Sequence, residues 1–473
     1  MSKNNFYAEP AVYHKPISEI DTDTINELYK LEEGWFVEFK SNLPEGAKIA
    51  KSISSFANAH GGIIIYGAIE DQKTRKLKEL KGFDVDTAEE NLIKIRQSVE
   101  SHIMPCPYYQ AEKIKTSEDK DEYIIWVRVP KGKHVPYLHG SGVIYTRKGD
   151  SSSPTALTDI SVLERLWQDG YREREKLANR IKHLMECIPK SFPSIDIFIK
   201  HEDFWFKDND YVLSFNDFKK LALEPAVEGV QSFLDVAHPM DGSFVARKRH
   251  KDVGNISIKW EFDRANNLHH IRIPLAVQFW GKGKLNDSYL GKADYSKLSE
   301  YFNNNGITSD VFIVDMSYAI GMLSILVRKV FMLHEITGDN GRLYLNAKVS
   351  GVKNSMAIVN YNKYYEELNN SVFPFIFRDP DFLYPIDEIT SWMNLVVRDK
   401  ENDDLGKAKF EIANTSAIFV EICHCLGITF YSVLGNGESV DGGDDDLSEL
   451  VENLSGLLIG NYSYTSMANP SYS

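Results

Sequence analysis

Residues 32–40 read EEGWFVEFK, and residues 56–71 read FANAHGGIIIYGAIED. In the first stretch Trp35, Val37 and Phe39 alternate with Phe36, Glu38 and Lys40, the two-residue period of a half-buried strand. That alternation puts Glu38 and Lys40 on one face, with Glu33 at or before the strand's start. After the turn SNLPEG, Ile49, Ile53 and Phe56 recur at helical spacing, so a helix is expected over Ala47–Ala59. Gly61-Gly62 stops it, and Ile63–Tyr66 reads as a fully apolar strand that ends near the acidic pair Glu70-Asp71. If the two strands are neighbours, Glu33, Glu38 and Asp71, at the end of the second strand, converge. Clustered carboxylates require a proton or a cation to offset their repulsion. Oxygen-only ligands suit Mg²⁺ or Mn²⁺, which bind phosphate oxygens in turn. Lys40, on the face of Glu38, is placed to contact a phosphate.

Working outward, Thr87–Met104 reads as a second helix, and 72–82 as a charged hairpin or loop. Two more strands are expected at Tyr123–Val129 and Val143–Arg147, separated by PKGKHVPYLHGSG. Residues 1–30 read as a leader with a short helix near Asp23–Lys30, and residues 156–195 as a connecting helix and linker. Residues 196–473 read as a mixed α/β domain of unrecognised fold. Its strands are expected at Ile256–Phe262, His270–Phe279, Leu343–Val349 and Met356–Val359, and its helices at Tyr318–Leu333 and Thr415–Leu426. The whole is α+β.

The chain has 473 residues, enough for two or three domains, with a formal net charge of −14. That charge argues against a protein basic all over; most of the excess acid lies beyond residue 170. Four scattered cysteines do not make a disulfide framework, MSKNNFYAEP lacks the apolar core of a signal peptide, and Met316–Val327 is too short to span a bilayer. A cytoplasmic location without membrane insertion is expected. No GxxxxGK[ST] is present, so nothing supports P-loop ATP hydrolysis, and DGGDDDLSE at 441–449 lacks calcium-loop spacing. Cys423-His424-Cys425 is read as helix core rather than zinc, because tetrahedral zinc needs wider spacing and a second ligand pair.

The series Glu33-x4-Glu38-Phe39-Lys40, Ser54-Ser55-Phe56-Ala57-Asn58-Ala59-His60-Gly61-Gly62, Ile63–Gly67 and Asp71 resembles the Schlafen AlbA domain, a divergent AlbA-like, nucleic-acid-binding family. Val129-Pro130, Pro136 and Ile144–Ser151 resemble the strand and Arg-x-Gly-Ser turn that close it, so the likeness covers residues 31–155. It implies an N-terminal mixed sheet with helices. In Schlafen endoribonucleases two glutamates and a later aspartate form a metal-dependent site acting on transfer and ribosomal RNA. By position these are Glu33, Glu38 and Asp71, with Lys40 assisting, although the pair Glu70-Asp71 leaves the third ligand open. The resemblance implies a Mg²⁺- or Mn²⁺-dependent nuclease for structured, tRNA-like RNA, or alternatively a non-catalytic binder of RNA or DNA. Lys73, Arg75, Lys76, Lys78 and Lys81, with Lys131, Lys133, Arg147 and Lys148, are the expected phosphate contacts. Vertebrate Schlafens clamp RNA with two tandem copies; this chain has one, so a homodimer would supply the second. A nuclease joined to a large second domain implies control by an infection- or stress-related trigger.

Overall fold

A computed structural model describes residues 10–428, apart from 14, 16, 18–19, 118, 148–152, 187–192, 202–212, 225–233, 249–257, 282–283, 286–294, 338–341, 360–361, 370–374 and 396–403. The described residues form two compact units, one through Asn179 and one from Arg180 onward. Both mix helices and sheets, and the architecture is α+β.

The first unit is built on α1 (Thr22–Leu28), β1 (Val37–Lys40), α2 (Gly46–Ala57), β2 (Gly61–Tyr66), β3 (Ala68–Glu70), β4 (Leu77–Leu80) and α3 (Val85–His102). It continues through β5 (Ile103–Met104), β6 (Gln110–Ser117), β7 (Lys120–Pro130), β8 (Leu138–His139), β9 (Tyr145–Thr146) and β10 (Thr155–Ala156) into α4 (Ile160–Glu186). Its main sheet has the order β1-β2-β7-β6. β1 runs parallel to β2, with Glu38 opposite Ile64 and Lys40 opposite Tyr66, and the remaining pairs are antiparallel. A parallel neighbour requires a crossover, and α2 supplies it.

Every residue of β2 is buried, which accounts for its unbroken apolar run. Ile64 and Tyr66 pack beneath α2 and α3 with Ile53, Phe56, Ile95 and Val127, whereas Ile63 and Ile65 pack on the opposite face with Val37, Phe39 and Trp126. The segment expected to be a leader belongs to that second cluster: Val12, Tyr13, Ile25 and Leu28 are buried in it, and Tyr13 donates to the Val129 carbonyl at 3.0 Å.

The Gly-Gly turn has two separate physical causes. Gly61 has φ +79°, the left-handed region a side chain rarely adopts. Gly62 is required for space: a Cβ there would lie 2.2 Å from Phe56 Cε1 and 2.8 Å from the Phe36 carbonyl oxygen. Gly62→Ala is therefore expected to lose about 2–3 kcal/mol through overpacking, read as a lower denaturation midpoint at unchanged slope.

The first compact unit continues past residue 155, the expected domain end, through Asn179. The beginning of α4 packs into this unit through buried Leu166, and through Gly170, where a Cβ would meet the Val135 carbonyl oxygen at 2.0 Å.

The second unit contains a seven-stranded antiparallel sheet in the order 236–240, 243–247, 259–263, 268–274, 194–201, 343–350 and 393–395. A five-stranded mixed sheet runs 284–285, 276–281, 311–315, 355–358 and 375–376. The single strand expected over His270–Phe279 is two strands in different sheets. Pro274 lacks an N–H to extend the first ladder, and Leu275 donates instead to the Pro193 carbonyl at 2.8 Å. Cys423 is buried on the helix Asp404–Cys425 while His424 and Cys425 are exposed, the arrangement of a helix with one face in the core.

Candidate functional site

At the edge of the main sheet β1 delivers Glu38 and Lys40, and the preceding turn delivers Glu33. Glu33 is fixed by its backbone, whose N–H donates to the Arg75 carbonyl at 2.7 Å, while Glu32 bridges to Lys76. The β3–β4 hairpin thus clamps the segment before β1. Glu33 and Glu38 are buried, at 4% and 1% exposure, which is too deep for surface charges.

Both oxygens of Glu38 are engaged. Oε1 accepts from Ser52 Oγ of α2 at 3.0 Å and lies 3.0 Å from Lys40 Nζ; Oε2 pairs with Arg147 Nη2. Arg147 also donates from Nη1 to the Gly34 carbonyl at 2.8 Å, and its guanidinium carbon sits 3.7 Å from the centre of the Phe56 ring. Arg147 is itself buried. Burial pulls its pKa below the usual guanidinium range, and the charges of Glu38 and Glu33 oppose that pull. Its expected role as a phosphate contact gives way to an internal one, because the guanidinium is committed to Glu38, Gly34 and Phe56.

Lys40 reaches toward solvent, with its side chain 41% exposed, and its ammonium lies 3.7 Å from Glu33 Oε1 as well as against Glu38. Burial works against that charge, but Glu38 and then Glu33 outweigh it, and the pKa is raised.

The acid that joins this cluster from the second strand's side is Glu70. Burial, followed by a hydrogen bond with the Glu70 carboxyl, raises the Glu33 pKa to about 8; Lys40 opposes the rise and the charges of Glu70 and Glu38 add to it. A proton on Glu33 would reduce the repulsion among the clustered carboxyl groups. Glu70 Oε2 is buried with no hydrogen-bond partner among the described residues.

Asp71 is directed elsewhere. Its Oδ1 accepts from the backbone N–H groups of Lys73 at 2.9 Å and Thr74 at 2.8 Å, closing its own turn. Those bonds, that of Thr74 first, lower its pKa. The D-x-x-T spacing of Asp71–Thr74 was the sequence signal for this turn, and strand alternation from buried Ala68 was the signal for Glu70. Ser52 carried no signal, since its role depends on contact across 14 residues.

Among the described residues, no group of three or more His, Cys, Asp or Glu side chains is placed to hold a metal ion. Glu33 and Glu70, with the orphaned Oε2, fit a two-carboxylate site, the arrangement by which Mg²⁺ is held between protein and phosphate oxygens. Glu38 adds nothing to it while both its oxygens are engaged.

Of the expected phosphate contacts, Lys73, Lys78, Lys81 and Lys131 are exposed, and Arg75, Lys76 and Lys133 partly so; Lys148 lies outside the described residues. Lys76 Nζ is 3.7 Å from Glu32 Oε1. Asn58 holds the closing loop, donating from Nδ2 to the carbonyls of Tyr137 and Tyr145 at 2.8 and 2.9 Å and accepting from Tyr137 N at 2.7 Å.

Residues 33–156 match the family described as Schlafen, AlbA_2, so this N-terminal part of the chain is Schlafen/AlbA-like. The family connects the domain with nucleic-acid-binding or nuclease-like function. Among solved structures, the chain is similar to the DIP2311 protein from Corynebacterium diphtheriae, at 21% identity and a TM-score of 0.19. The match covers 27% of this chain and 23% of that one, a local likeness that carries no argument about activity. No curated protein matches the chain. Among the described residues, no helix is long and apolar enough to cross a membrane.

Proposed function

We propose that the first unit is a metal-dependent endoribonuclease for structured RNA of the tRNA kind, working in a reducing cytoplasm. The observation that carries this reading is the Glu33–Glu70 carboxyl pair: burial and the neighbouring carboxyl raise the pKa of Glu33, Glu70 has an orphaned oxygen, and the half-exposed Lys40 lies beside them. A divalent ion bound there would supply charge neutralisation at phosphate and lower the pKa of a bound water. Glu33 and Glu70 would hold the ion once Glu33 gave up its proton. Lys40 would bind a phosphate oxygen, and Glu38 with Arg147 would hold Lys40 in position. Lys73, Lys78 and Lys131 would contact the backbone of the nucleic acid away from the reacting phosphate, giving sequence-tolerant, salt-sensitive binding.

The test is cleavage of folded tRNA by the full chain with and without Mn²⁺ or Mg²⁺. Wild-type protein is expected to cut only with the metal, Glu70→Gln to lose at least ~100-fold in rate, and Asp71→Ala to keep most of it. Equal cleavage by Glu70→Gln and wild type would remove the proposed site.

A binding module without hydrolysis is the second reading. It is favoured by Glu38, whose oxygens are both engaged, and by Asp71, which closes its own turn. Salt-dependent retention of RNA or DNA with no cleavage in any metal would establish it over the first.

A further inference from the structure

α4 exposes an apolar stripe in its first four turns. Leu166 and Gly170 face the first unit, and beside that buried face Ile160, Trp167 and Tyr171 stand 72%, 52% and 60% exposed. The spacing 160, 164, 167, 171, 174 alternates four and three residues, the repeat of a helix-pairing seam, and Glu164 and Arg174 are its two charged positions. An indole and a phenol side by side on a helix are costly in water and serve a contact.

We propose that this stripe pairs with itself in a second copy of the chain, antiparallel, about a two-fold axis passing Asp169. The partner is specified by the sequence. Positions equally distant from Asp169 face one another in such a pair, so Trp167 meets Tyr171 of the partner subunit and Glu164 meets Arg174 of the partner subunit. The two-fold repeats each contact, giving two aromatic pairs and two opposite-charge pairs. A parallel, in-register pair would instead set Glu164 against its own copy and Arg174 against its own copy, and the repulsion rejects it. The axis passes at the level of Asp169 along the helix, but the Asp169 side chain lies about 200° round the helix from Trp167, away from the seam, where it is 3.5 Å from Arg172. The contact stands whether or not the domain binds nucleic acid. Its area is that of one helix face, below that of a permanent interface, so dimerisation is expected at micromolar concentrations.

Sedimentation velocity of the full chain over a concentration series reads this directly. Wild-type protein is expected to pass from monomer to dimer. Glu164→Arg or Arg174→Glu alone creates two like-charge pairs and should weaken the dimer ~tenfold or more, whereas the two together restore it. Circular dichroism checks that each variant is folded, and all the altered side chains lie at or near the surface. A chain that stays monomeric throughout overturns the proposal. So does a dimer indifferent to the single reversals, or a double variant that fails to recover. If Trp167→Ala with Tyr171→Ala weakens RNA retention and leaves the mass unchanged, the stripe is a base-stacking platform and the proposal also falls.

Discussion

Glu38→Ala is expected to lower the stability of the first unit by about 3–5 kcal/mol, because it leaves the buried Arg147 guanidinium without its carboxylate. The loss exceeds that of any ordinary surface glutamate, and in a domain of marginal stability it removes a large part of the total. Chemical denaturation of wild type and variant measures it. The cause is checked by a second variant in which Glu38→Leu and Arg147→Met are combined: removing both charges should recover most of the loss, since neither partner is then stranded. A Glu38→Ala protein as stable as wild type would show that the pair contributes little. One consequence concerns the function. Loss of cleavage in Glu38→Ala would not by itself identify a catalytic group, because the fold around Lys40 depends on the same side chain. Glu70→Gln is the cleaner probe, as Glu70 Oε2 has no hydrogen-bond partner among the described residues to be stranded by the change.

The second large effect is a pH dependence opposite to that of most carboxylates. Glu33 titrates near 8 in the folded chain and near its ordinary value when unfolded, so between those values the folded state holds the extra proton. Stability therefore falls as pH rises through that window, and the decline ends once pH passes about 8. A loss of roughly 4 kcal/mol between pH 5 and pH 9 is expected for wild type. Glu33→Gln, which imitates the protonated form, should flatten the profile and be the more stable protein at pH 9. If the two profiles coincide, Glu33 does not carry the proton. The proposed metal site predicts a companion result: Mn²⁺ competes with that proton, so its binding at pH 7 should release close to one proton and weaken as pH falls. Proton release is read by titration in two buffers of different ionisation enthalpy, independently of any cleavage.

The α+β class, the strand–helix–strand order from Val37 to Tyr66 and the Gly-Gly turn were legible because they depend on local periodicity and backbone sterics. So was the closeness of Glu33, Glu38 and Lys40, since a strand's alternation fixes which neighbours share a face. The sequence did not decide between Glu70 and Asp71. A strand end and a turn lie one residue apart there, and the tertiary clamp of the β3–β4 hairpin onto Glu33 turns one acid inward while the backbone of Lys73 and Thr74 takes the other. Nor did it reveal Arg147 as an internal ion-pair partner, for its meeting with Glu38 joins positions 109 residues apart. The division of the expected strand at Pro274 is of the same kind: the missing N–H was visible, but the second sheet that receives Ala276–Gly281 is assembled from distant segments. Sequence alone determined what each short segment can form. The charge state and partners of each buried group were decided by tertiary structure, because desolvation and long-range pairing exist only once the chain has closed around them.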